Sequence, residues 1–155
     1  MVWEELLRTA LGAFFGTMGF AMLVHIPQRA LPVSGLIAVL SYLVYWGFVR
    51  LGLSDPTAIF LGSLFGSVTG QLTARKMKII GTVFLMSAIV PVVPGLDLYR
   101  MMAFLGQNRI ADGANMGIRA MITIAMIALG LGAGALTDRI LHTRGRKNLS
   151  GKKTP

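Results

Sequence analysis

Apolar runs of about twenty residues alternate along this chain with short stretches rich in proline and basic residues. The hydrocarbon core of a bilayer is about 30 Å thick, so a spanning helix needs roughly 20 mostly apolar residues. Five segments meet or approach that length. The first runs from about Leu6 to Ile26, with Pro27 behind it as a stop. The second runs from about Val33 to Leu53 and is opened by Pro32. The third runs from about Pro56 to Ala74; Asp55 is a candidate N-cap, and Pro56 suits the first helical position. The fourth starts near Lys78 and meets Pro91 and then Pro94-Gly95. The fifth runs from about Met116 to Thr137. A shorter mixed segment, Leu96 to Asn108, reads as a half-helix or an interfacial helix after the Pro-Gly break. The pattern predicts an all-α integral membrane protein of about five transmembrane helices, the fourth broken at the Pro-Gly motif. Four spans plus a re-entrant segment is the rival count. Residues 1–138 are expected to form a single transmembrane domain, and 139–155 a basic, flexible cytoplasmic tail.

Composition sharpens this picture. Of 155 residues, 54% are hydrophobic and 14% charged, against about 45–50% and about 25% in soluble domains. The net charge of +9 is carried by loops and by the C-terminal stretch, between the apolar runs, which argues against nucleic acid as the partner. The start, Met1 to Arg8, is acidic rather than basic and is read as part of a first membrane helix, not a cleaved signal peptide. The absence of cysteine excludes disulfides, thiol catalysis and Cys-type zinc sites.

Charge also sets an orientation. With five spans and a cytoplasmic C-terminus, Arg29, Arg75, Lys76 and Lys78 fall on the inner side together with the tail. Arg8, Arg50, Arg100, Arg109 and Arg119 fall outside. Ten basic residues against five agrees with the rule that Lys and Arg gather on the cytoplasmic face.

The sharpest motif is Pro91-Val92-Val93-Pro94-Gly95-Leu96-Asp97-Leu98-Tyr99-Arg100. Two prolines three apart remove two backbone donors, and the glycine relaxes the backbone. A helix broken at membrane depth is tolerated only inside protein or beside a water-filled cavity. The half-helix after it presents N–H groups and a positive dipole end, which suits a carboxylate. The plainer reading is a helix stop followed by a surface loop. Asp97 is either a proton or cation site or a dipole-complementing residue of the new helix. Tyr99 is either interfacial or a donor to substrate, and Arg100 either binds a carboxylate or snorkels to head groups. His25, at the end of the first span, is either pH-sensitive or interfacial. Ser63, Ser67 and Thr69 are expected to bond back to their own helix.

Glycines four apart form a second pattern: Gly12 and Gly16; Gly62, Gly66 and Gly70; Gly130 and Gly134. Each set lies on one helix face, where membrane helices approach closely. They are expected to pack helices within the subunit or between subunits, or to line a substrate path. No GxSxG, HExxH or Walker motif is present, and no enzyme activity, cofactor or metal site is expected.

The stretch Ile89-Val90-Pro91-Val92-Val93-Pro94-Gly95-Leu96-Asp97-Leu98-Tyr99 resembles a signature of the C-terminal membrane domain of the threonine/serine exporter family. Gly19 to Leu31, with Pro27-Gln28-Arg29-Ala30-Leu31, resembles the first-helix region of the same family. The closest likeness is to the stand-alone small subunit of a two-component exporter. The resemblance implies secondary export of small carboxylate metabolites: threonine and serine, or a dicarboxylate such as succinate. It also implies a large exporter subunit as partner, a possible homo-oligomer, contact with membrane lipid, and location in a bacterial inner membrane. Through the same resemblance Arg29 joins Pro91, Pro94, Gly95, Asp97, Tyr99 and Arg100 as a candidate substrate-binding residue. The alternative is a scaffold or stabilising subunit that does not itself transport.

Overall fold

The computed structural model describes the backbone of residues 2–150 and most side chains as far as Thr137. Every regular element among them is a helix: α1 Val2–Leu23, α2 Leu31–Arg50, α3 Asp55–Met77, α4 Gly81–Ile89, α5 Gly95–Gly106 and α6 Ile110–Ser150. Three helices are long and apolar enough to cross a membrane, over Leu6–Leu23, Leu31–Arg50 and Ile110–Thr137. The chain is an all-α membrane protein. Of the basic tail expected from Arg139 onward, residues 151–155 lie outside the described residues, while the backbone of 139–150 continues α6.

Helix α3 does not reach the hydropathy of those three, because Gly, Ser and Thr occupy much of its length. It is the centre of the bundle. Its buried positions are Ala58, Ile59, Gly62, Ser63, Gly66, Ser67, Gly70 and Ala74, one stripe facing α6 on one side and α2 with α4 on the other. Small side chains let the backbones approach closely enough for hydroxyls to bridge them. Ser67 Oγ donates to the Leu131 carbonyl of α6 at 3.1 Å, and Ser41 Oγ of α2 donates to the Gly62 carbonyl at 3.1 Å. Ser63 and Thr69 bond back within α3 as expected, to Ile59 at 2.7 Å and Phe65 at 2.8 Å. Ser67 departs from that expectation because α6 comes within its reach.

The glycine contacts define the topology. Gly130 faces Phe60, Ser63 and Leu64, and Gly134 faces Leu64 and Ser67, so α6 runs parallel to α3. Gly62 meets Tyr45 and Ser41, Gly66 meets Ser41 and Ala88, and Gly70 meets Phe84. Helices α2 and α4 are therefore antiparallel to α3. Gly113 meets Leu105 and Gly117 meets Met101, so α5 is antiparallel to α6. It follows that α4 and α5 run in the same direction. Helix α4 has nine residues, about 14 Å, and cannot span a bilayer alone. Helix α5 continues in the same direction after a turn at residues 90–94. The expected break is present.

Gly12 and Gly16 differ from the other two glycine sets. A Cβ at either would meet nothing within 4 Å, so they pack no helix of this subunit. Helix α1 is peripheral, and Leu7, Leu11 and Phe15 on it are more than half exposed. The helix ends also differ in detail. Ser54, not Asp55, is the N-cap of α3, and its Oγ lies 2.8 Å from Thr57 Oγ1. Helix α6 starts at Ile110, six residues before the expected point. Asn108 in the left-handed conformation (φ 59°) turns the chain, and Arg109 pairs with Asp112 at 2.7 Å.

The ends of the bundle separate the basic residues as the charge argument anticipates. The α1–α2 turn packs through Ile26, Ala30 and Leu31 against Ala74 and Ile79, which puts Arg29 at the same end as Arg75, Lys76 and Lys78. The opposite end carries Arg50, Asp55, Arg109 and Arg119. Arg50 there stacks on Trp46 at 4.8 Å.

Candidate functional site

Proline creates the site. Pro91 lacks an N–H, and its ring opposes the carbonyl four residues back, so α4 ends at Ile89. The chain then folds tightly: Val92 N–H donates to the Ile89 carbonyl at 2.8 Å and Gly95 N–H to Val93 at 2.8 Å. Pro94 takes the N-cap place, and α5 begins with Asp97 in its first turn. Because α3 starts only at Asp55, the α5–α6 hairpin overhangs it. The overhang is locked by Leu105 and Met101 against Gly113 and Gly117, and by Arg109 over the Phe104 ring at 4.6 Å.

Beneath this overhang lies a cleft of about 500 Å³. It is lined by Tyr45 of α2, Asp55, Pro56 and Ile59 of α3, Pro91, Val92 and Pro94 of the break, Asp97 of α5, and Arg119, Ile122 and Thr123 of α6. Ile59 and Val92 are buried and pack with Ile127 below it. Asp55, Arg119 and Ile122 are exposed at its rim, and Asp97 is half-buried. An apolar floor thus lies below two carboxylates, one guanidinium and two hydroxyls. The volume is in the range of small-molecule sites, roughly 300–1,000 Å³.

Of the candidate residues, the cleft gathers Pro91, Pro94 and Asp97. The others stand apart. Gly95 is exposed, its N–H is taken by Val93, and a Cβ there would meet nothing within 4 Å. Tyr99 (71% exposed) and Arg100 are on the open side of α5, away from the Met101–Leu105 side that packs on α6. Arg29 is exposed at the other end of the bundle. Sequence reasoning missed Tyr45, Asp55 and Arg119 as partners of Asp97. A signal for Arg119 was available: an arginine next to a long apolar run carries a desolvation cost and so marks a candidate functional group. Asp55 was absorbed by its helix-capping role.

A broken helix bordering a polar cavity within a multi-pass helical bundle is an arrangement that many membrane transporters use. The sequence model of the family described as Threonine/Serine exporter, ThrE, matches residues 9–136, and the chain belongs to that family. No solved structure matches it.

Proposed function

We propose that this chain is the small subunit of a two-component secondary exporter of small carboxylate metabolites, and that the cleft at the α4–α5 break is its transport site. The family match supplies the activity class. The observation that carries the site is the meeting of the break with Asp55, Asp97 and Arg119 around one cavity. The rim residues stand exposed, so a large partner subunit seated over them would enclose the path. The end bearing Arg29, Arg75, Lys76 and Lys78 faces the cytoplasm of an inner-membrane protein by the distribution of basic charge. The cleft then opens toward the outer half of the membrane. Asp97 is the candidate group for coupling proton movement to transport.

A scaffold role is the second reading. The observation favouring it is that Gly12 and Gly16, spaced for a close helix contact, have nothing within 4 Å of a Cβ and border a cavity with Tyr42, Val90 and Pro91.

Thiol labelling separates the two. The chain has no cysteine, so Thr123→Cys introduces a single reporter on the cleft wall. A membrane-impermeant thiol reagent is expected to label it, and serine or threonine is expected to slow that labelling several-fold. Equal labelling rates with and without substrate would favour the scaffold.

A further inference from the structure

We infer that Arg119 and Asp55 set the charge selectivity of the cleft: Arg119 holds the substrate carboxylate, and Asp55 with Asp97 holds its ammonium group. This rests on the reading of the cleft as the transport site, and it adds which side chains choose the substrate.

Three elements bring these groups together. Asp55 opens α3, Asp97 lies in the first turn of α5, and Arg119 comes from the overhanging part of α6. Arg109 also stands at this end, but it is held by Asp112 (Nε to Oδ2, 2.8 Å) and by the Phe104 ring. Arg100 lies outside the cleft lining. Arg119 is therefore the guanidinium that borders the cavity, and a guanidinium binds a carboxylate through a two-pronged, charge-assisted contact.

With both aspartates ionised the three groups carry a net charge of −1. A zwitterion matches this set, its carboxylate on Arg119 and its ammonium between the aspartates. A dicarboxylate does not match. Once one of its carboxylates is on Arg119, the other faces Asp55 and Asp97 across the same cavity, and like charges repel. Tyr45 and Thr123 supply hydroxyls on the remaining walls, suited to a hydroxylated side chain. The amino acid preference thus follows from a matched attraction and a built-in repulsion.

The test measures binding of labelled L-serine and labelled succinate to the full chain in lipid nanodiscs, with its partner subunit where one co-purifies. The wild type is expected to bind serine in preference to succinate. Arg119→Gln is expected to weaken serine binding roughly tenfold or more, the cost of removing a hydrogen-bonded charge partner. Asp55→Asn is expected to shift the serine-to-succinate preference at least about tenfold toward succinate, by removing one repelling charge. That gain for succinate cannot come from misfolding. Thr123→Trp, which fills the cleft, is expected to abolish binding of both probes. If Thr123→Trp abolishes binding while Arg119→Gln and Asp55→Asn leave the preference unchanged, the charge assignment is overturned and the cleft stands. If Thr123→Trp leaves serine binding intact, the cleft itself is not the site. Wild-type binding of neither probe, or of succinate first, also overturns the assignment.

Discussion

Gly130→Val is expected to separate α6 from α3 and to lower the thermal stability of the detergent-solubilised protein. A Cβ at Gly130 would lie against Ser63 Oγ, 2.7 Å from the Phe60 carbonyl oxygen and 3.1 Å from the Leu64 nitrogen. Two of these three neighbours are backbone and cannot rotate away. Relief requires the helices to move apart, which also stretches the Ser67-to-Leu131 hydrogen bond one turn further along. Overpacking of this kind costs about 1–3 kcal/mol, occasionally more. At roughly 2–4 °C per kcal/mol for a chain of this size, the midpoint should fall by several degrees or more. Gly16→Ala is the control. Its Cβ meets open space, and exchanging glycine for alanine in a helix is worth up to about 1 kcal/mol in favour of alanine. Following tryptophan fluorescence on heating checks both. Equal losses from the two variants would mean that α3 and α6 are not locked as described.

The second large effect belongs to the break. Replacing both prolines, Pro91→Ala with Pro94→Ala, is expected to let α4 and α5 fuse into one helix. Each proline disfavours a continuous helix by about 3 kcal/mol, so removing both takes away the main reason for the turn at 90–94. The fused helix would carry Asp97 away from Asp55 and Arg119, and the cleft floor at Val92 and Pro94 would be lost. Helical content should hold or rise by circular dichroism, and substrate efflux should fall by at least about tenfold. Unchanged efflux would show that the turn is a connection and not a device.

These two cases mark what the sequence makes legible. The Pro-x-x-Pro-Gly motif and the Gly62–Gly66–Gly70 stripe are local patterns with local consequences, and both appear where their chemistry puts them. The sorting of basic residues between the two ends follows from alternating crossings, and it too is recovered. Periodicity says which residues share a helix face, but not what stands opposite. Gly12–Gly16 and Gly130–Gly134 have the same spacing, yet only the second pair meets a neighbour, because α1 is peripheral and α6 lies on the central helix. The cleft depends on long-range meetings: Tyr45, Asp55, Asp97 and Arg119 span four helices, and their juxtaposition arises from the offset between α3 and α6. Nothing in the local pattern encodes that offset. Arg29 shows the reverse: a motif groups it with the break, and the fold carries it to the opposite end of the bundle.

The most direct test of the central claim is efflux of labelled serine and threonine from cells lacking their own exporters. The cells would express this chain with the large subunit proposed as its partner, that subunit alone, or the pair carrying Asp97→Asn. Efflux from the intact pair, absent with the partner alone and reduced at least about tenfold by Asp97→Asn, is the result expected if this chain contributes the transport site. Full efflux from the partner alone, or from the Asp97→Asn pair, would contradict it.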